Sequence, residues 1–111
     1  MQTIDAMSRF EFIQEGYNER DVKEISENIV ENGWIDDACY PVVLVKCEKK
    51  YIVIDGNHRI NAAKLALECG WIGKISAVVT DKSTFDEIIE RFDGDVENNL
   101  FDIAEIIRGL D

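Results

Sequence analysis

Two spacings of apolar residues alternate along the chain. From Glu19 to Asn32, Val22, Ile25, Ile29 and Val30 fall on one side of a helix, with Lys23, Glu24, Glu27 and Asn28 on the other. Asn18 offers an N-cap, Asp21 an early acid and Gly33 a C′ residue, and Trp34 and Ile35 are expected to pack back onto the helix. Pro41 to Lys46 and Tyr51 to Ile54 are short apolar runs joined by Glu48-Lys49-Lys50, which predicts a hairpin. Val42-Val43-Leu44-Val45 lacks alternation, so that strand should be buried on both faces. Helical spacing resumes at Ile60, Gly70 closes that helix, and Trp71 and Ile72 repeat the packing role of Trp34 and Ile35. Lys74 to Val79 reads as a strand. Ser83 to Arg91 reads as a helix, with Thr84-x-x-Glu87 in the form of a capping box and Phe85, Ile88, Ile89 and Phe92 as its stripe. A last helix, Leu100 to Arg108, places Ile103, Ile106, Ile107 and Leu110 on one face, for docking on the core or for contact in a homodimer. The first residues lean to a helix through Ile4, Met7 and Phe10, whereas Arg9 to Ile13 alternates like a strand and is left open. The expected class is α+β: a small mixed sheet packed with helices, its core about residues 20–80, with a helical extension over 83–110.

Chemistry concentrates between Tyr51 and Cys69. A strand, a turn at Gly56 and a helix opening at Asn57 to Arg59 would gather backbone N–H groups that have no intrahelical partner, at the positive end of a helix dipole. Arg59 adds a full charge on a planar fork suited to phosphate or carboxylate; His58 can donate or accept, and Asp55 can hold a metal or orient its neighbours. Ordinary turn chemistry also accounts for Asp-Gly-Asn at a strand end. The juxtaposition of the sole histidine with an arginine at this corner tips the balance toward a ligand site.

The run Asp55-Gly56-Asn57-His58-Arg59-Ile60-Asn61-Ala62-Ala63-Lys64-Leu65-Ala66 resembles the signature of the ParB N-terminal domain and sulfiredoxin superfamily. There a Gly-x-[Arg/His]-Arg turn precedes a small-residue helix ending in Ala-Lys-Leu-Ala. The order of elements over about residues 20–80 agrees. The resemblance implies that Gly56, Asn57, His58 and Arg59 hold the phosphates of a nucleotide, ATP, ADP or CTP with Mg²⁺. Asn57 stands where sulfiredoxins carry their nucleophilic cysteine, so sulfur chemistry is not implied. Asp-Gly-x-His-Arg is closest in form to the free-serine-kinase branch, in which the Asp and the His serve phosphotransfer. That implies catalytic roles for Asp55 and His58, a metal at Asp55, and a general base near the N-terminus, for which Glu15 and Glu19 are the candidates. The Pro-rich box and the DNA-reading region of ParB proteins have no counterpart here: Pro41 is the sole proline.

With 111 residues and a formal charge of −11, the chain reads as one domain that would repel nucleic acid and anionic membranes. DNA binding by the chain alone is disfavoured, as is a nuclease. An anionic ligand must rely on local cations: Arg59 and Lys64, with Lys46, Lys74 and Arg20. Cys39, Cys47 and Cys69 form no C-x-x-C pair and suggest a reducing, cytosolic setting; Cys69 reads as a small core residue. Asp93 to Glu97 fails the spacing of a calcium loop. The acidity also suits a different class of function, a degenerate copy of the fold that binds a basic protein partner in a phage or mobile-element setting.

Overall fold

The computed structural model describes residues 1–14, 16–35 and 40–110. In order, the elements are β1 (Gln2–Asp5), β2 (Arg9–Phe12), α1 (Glu19–Asn32), β3 (Val42–Cys47), β4 (Lys50–Asp55), α2 (Asn57–Glu68), β5 (Lys74–Asp81), α3 (Lys82–Glu90), a 3-10 turn (Glu97–Asn99) and α4 (Leu100–Leu110). The strands form a mixed sheet of order β1-β5-β3-β4-β2. β5 runs parallel to β3 and β2 parallel to β4, while the β3–β4 and β1–β5 pairs are antiparallel.

β3 is the middle strand, which explains its unbroken apolar run. Val42 and Leu44 face the layer of α1 and α2, together with Val53, Ile60 and Ala66. Val43 and Val45 face α3 and α4, together with Ile54, Phe85, Ile103 and Ile107. Helix α2 presents Ile60, Ala62, Ala63 and Ala66 to the sheet, all buried; small side chains let its backbone lie close. Helix α1 has the predicted bounds, capped by the Asn18 side chain and closed by Gly33 in a positive-φ conformation. Helix α4 docks on the sheet, with Ile103, Ala104 and Ile107 inaccessible to solvent. No helix of the described residues is long and apolar enough to cross a membrane.

Several local expectations are corrected. The first residues are strand rather than helix: Ile4 is buried in β1 against β5, and a turn, in which Met7 N–H donates to Asp5 Oδ1 at 2.8 Å, separates β1 from β2. Trp34 and Trp71 do pack on the core, but Ile35 and Ile72 are exposed, at 61% and 87%. In extended backbone the next side chain points away from the face its neighbour covers. Cys69 stands at the C-cap of α2 and is exposed. Val30 and Leu110 are exposed as well. The cap of α3 is Asp81, not Thr84, which instead donates its N–H to Asp81 Oδ1 at 2.7 Å. Cys39 and Glu15 lie outside the described residues.

Two predictions follow from this packing. Truncation of Ile107 to alanine should cost about 2–4 kcal/mol in urea unfolding if α4 belongs to the cooperative core; an unchanged midpoint would show it to be an appendage. The bond from the Thr84 N–H, then that from the Ser83 hydroxyl, hold the Asp81 carboxyl below its ordinary range. Its stabilising effect is therefore complete above the unfolded value and lost as pH falls through the lower folded one. Thermal unfolding of Asp81→Ala should show a lower midpoint than the parent at neutral pH, with the two curves converging in acid.

Candidate functional site

β4 ends at Asp55 and α2 begins at Asn57, so Gly56 alone makes the corner. Its φ is +105°, in the left-handed region, and a Cβ there would lie 2.6 Å from Val42 Cγ2. Only glycine meets both demands. The first bond of the helical ladder runs from Ile60 N–H to the Gly56 carbonyl at 2.9 Å. The N–H groups of Asn57 and His58 precede that ladder, no side chain caps the helix, and its first turn carries no acid. The helix dipole and Arg59 both contribute positive charge here, on a strongly acidic chain. A bulge lies just before it: between the pairs Val43–Asp55 and Leu44–Val53, β4 has one extra residue, Ile54.

Each signature side chain has a partner outside α2. Asn57 Nδ2 donates to the Gln14 carbonyl at 2.6 Å and to that of Gly16 at 3.1 Å, while its Oδ1 accepts from Asn61. His58 Nε2 accepts the Asn18 N–H at 3.1 Å, which leaves the proton of the neutral ring on Nδ1. Arg59 donates to the carbonyls of Ile35, at 3.0 Å, and Tyr40, at 3.3 Å, and lies 4.6 Å from the centre of the Trp34 ring. Asp55 accepts the Gly56 N–H at 3.0 Å on one oxygen and is ion-paired through the other to Arg108 of α4.

The structure thus brings Asp55, Gly56, Asn57, His58 and Arg59 together around one helix opening. Glu19 is drawn in only indirectly: it follows Asn18, whose N–H meets His58, and it lines a groove between α1 and α2 with Tyr17 and Leu65. Of the other cations considered, Lys64 lies over Phe12, Lys46 over Tyr51, Arg20 pairs with Glu24, and Lys74 sits opposite Asp5 in the sheet. Beside Arg59 lies a cavity of about 240 Å³ lined by Ile25, Ile29, Trp34 and Ile35. Trp34 Nε1 is buried there without a hydrogen-bond partner among the described residues.

The donor set does not fit a resident divalent cation. Such ions take several oxygen ligands. Both Asp55 oxygens are engaged, and among the described residues no group of three or more His, Cys, Asp or Glu side chains could hold a metal. Arg108 is the residue that sequence reasoning missed. Its signal was its place four residues after Ala104, on the side of α4 that turns toward the core.

The fold has a solved counterpart. Among the solved chains that match is the C-terminally truncated chromosome-partitioning protein ParB from Caulobacter crescentus, complexed with CTP-gamma-S. The two chains share 16% identity with a TM-score of 0.52, over 72% of this chain and 43% of that one. The fold is ParB-like. The chain spans less than half the length of that ParB structure, and no family model and no curated protein matches it.

In this ParB-like fold the Gly56 turn sets where the opening of α2 sits. Gly56→Ala should therefore lower stability by about 1–3 kcal/mol through backbone strain and contact with Val42, measured by denaturant unfolding. A neutral substitution would mean that the corner relaxes freely and does not fix the site.

Proposed function

We propose that the chain is a nucleotide-binding domain of the ParB-like kind, with the phosphates held at the opening of α2. The observation that carries this reading is an uncapped helix start behind a glycine at φ +105°, whose own side chains tether the backbone on either side of it. Backbone N–H groups of Asn57 and His58 would meet the phosphate oxygens, Gly56 lets the ligand approach the main chain, and Arg59 supplies charge from the adjoining wall. The CTP analogue in the ParB structure of like fold supports the ligand class. ATP, ADP and CTP are all candidates.

A phosphotransferase or nucleotide hydrolase extends the same reading. His58 could then act through Nδ1, Asp55 would orient the turn, and Glu19 would be the base near the N-terminus. Mg²⁺ would arrive on the nucleotide as a counter-ion of its phosphates.

A second reading is favoured by a specific observation: the side chains of Asp55, Asn57, His58 and Arg59 all have partners within the chain. A degenerate ParB-like module that binds a basic protein, with no nucleotide, would keep such contacts for the fold alone. Calorimetric titration with ATP, ADP and CTP in Mg²⁺ separates the two. Saturable heat with at least one nucleotide is expected, and Arg59→Ala should weaken it by about tenfold or more while retaining the far-UV spectrum. Absence of heat with all three at millimolar concentration, together with a pull-down that yields one stoichiometric protein partner, would decide for the interaction module.

A further inference from the structure

We propose that Arg108 takes the place of a divalent cation at this corner, so that the chain binds nucleotide phosphates without a metal held by the protein. The inference rests on the nucleotide reading above. Asp55 lies one residue before Gly56, and a bare carboxylate there would repel a polyphosphate arriving at the N–H groups of Asn57 and His58. Where a carboxylate borders a phosphate site, a bound cation ordinarily bridges the two. Here each oxygen of the carboxylate already has a partner: Gly56 N–H donates to Oδ1 at 3.0 Å, and the Arg108 guanidinium pairs with Oδ2.

The guanidinium is built in rather than draped over the surface. Its NH2 group also donates to the Pro41 carbonyl at 2.9 Å, and Nε reaches the same oxygen at 3.3 Å. The Arg108 side chain is 15% exposed, against 51% for that of Asp55. Helix α4 fixes its position, because Ile107 next to it and Ala104 one turn before it are fully buried. The guanidinium therefore sets a positive charge directly against the Asp55 carboxylate. A metal seeking Asp55 would have to displace a cation that has a second anchor on Pro41. The C-terminal helix thereby becomes part of the site, though no motif of the corner includes it.

Calorimetric titration of the full chain with ATP and with CTP, first in EDTA and then in Mg²⁺, tests this. The parent chain should bind in both buffers with affinities within about threefold of each other. Arg108→Gln should lose about tenfold or more in EDTA, the effect of one unpaired charge nearby, and regain most of it in Mg²⁺. In the double variant Asp55→Asn, Arg108→Gln the carboxylate is gone and metal-free affinity should return toward that of the parent, which a purely structural strut would not do. Asp55→Asn alone keeps Arg108 and should bind at least as tightly in EDTA as the parent, a check that stands even if Arg108→Gln fails to fold. A parent chain that binds only with Mg²⁺, or an Arg108→Gln chain that behaves like it, overturns the proposal and leaves the nucleotide reading intact. No binding by the parent in either buffer removes the nucleotide reading, and this inference with it.

Discussion

The contact between Gly56 and Val42 is the constraint on which the corner between β4 and α2 depends. Val42 opens the central strand, so it is held by sheet pairing on one axis and by α1 and α2 on another. Gly56 lies so close to it that no side chain fits between them. The opening of α2 is therefore referenced to the most deeply buried strand in the fold, not to a loop. A site built on such an element keeps its geometry when surrounding segments move, which is what an array of N–H donors requires if it is to be worth more than water.

Charge organises the rest. On a chain of −11, attraction for an anion has to come from short-range features, and the corner gathers several: a helix dipole, the Arg59 fork and a first turn without acids. The Asp55 carboxylate at the turn is paired with Arg108, delivered from a distant part of the chain. The acids that give the protein its net charge decorate outer faces such as that of α1, where Glu24, Glu27 and Glu31 are exposed. Screening by salt confines the influence of such exposed charges to about a nanometre, so surface and site can carry opposite signs.

Much of this architecture was legible in the sequence wherever a segment's own pattern decides its fate. Helix α1 with its Asn18 cap and Gly33 stop, the hairpin of β3 and β4, and the double-sided burial of Val42 to Val45 all follow from local periodicity. The first dozen residues did not. Strands β1 and β2 have four residues each, and what makes them strands is pairing with β5 and β4, far along the chain. The corner itself was recognisable from Asp55 to Arg59, but its partners were not: Gln14, Asn18, Tyr40 and Arg108 meet it across long separations that no spacing encodes. The cap of α3 was misplaced because Asp81, Thr84 and Glu87 make overlapping motifs, and hydrogen-bond geometry alone picks Asp81.

The placement of Arg59 over Trp34 has an optical consequence. An indole shifts its emission with the charge at its face, and here that charge belongs to a side chain rooted in the first turn of α2. Trp71 packs on the core after α2, with no such cation at its ring among the described residues, and serves as an internal standard. The protein thus carries its own indicator: events at the corner that move the guanidinium are written into the fluorescence of one tryptophan and not the other, with no label attached.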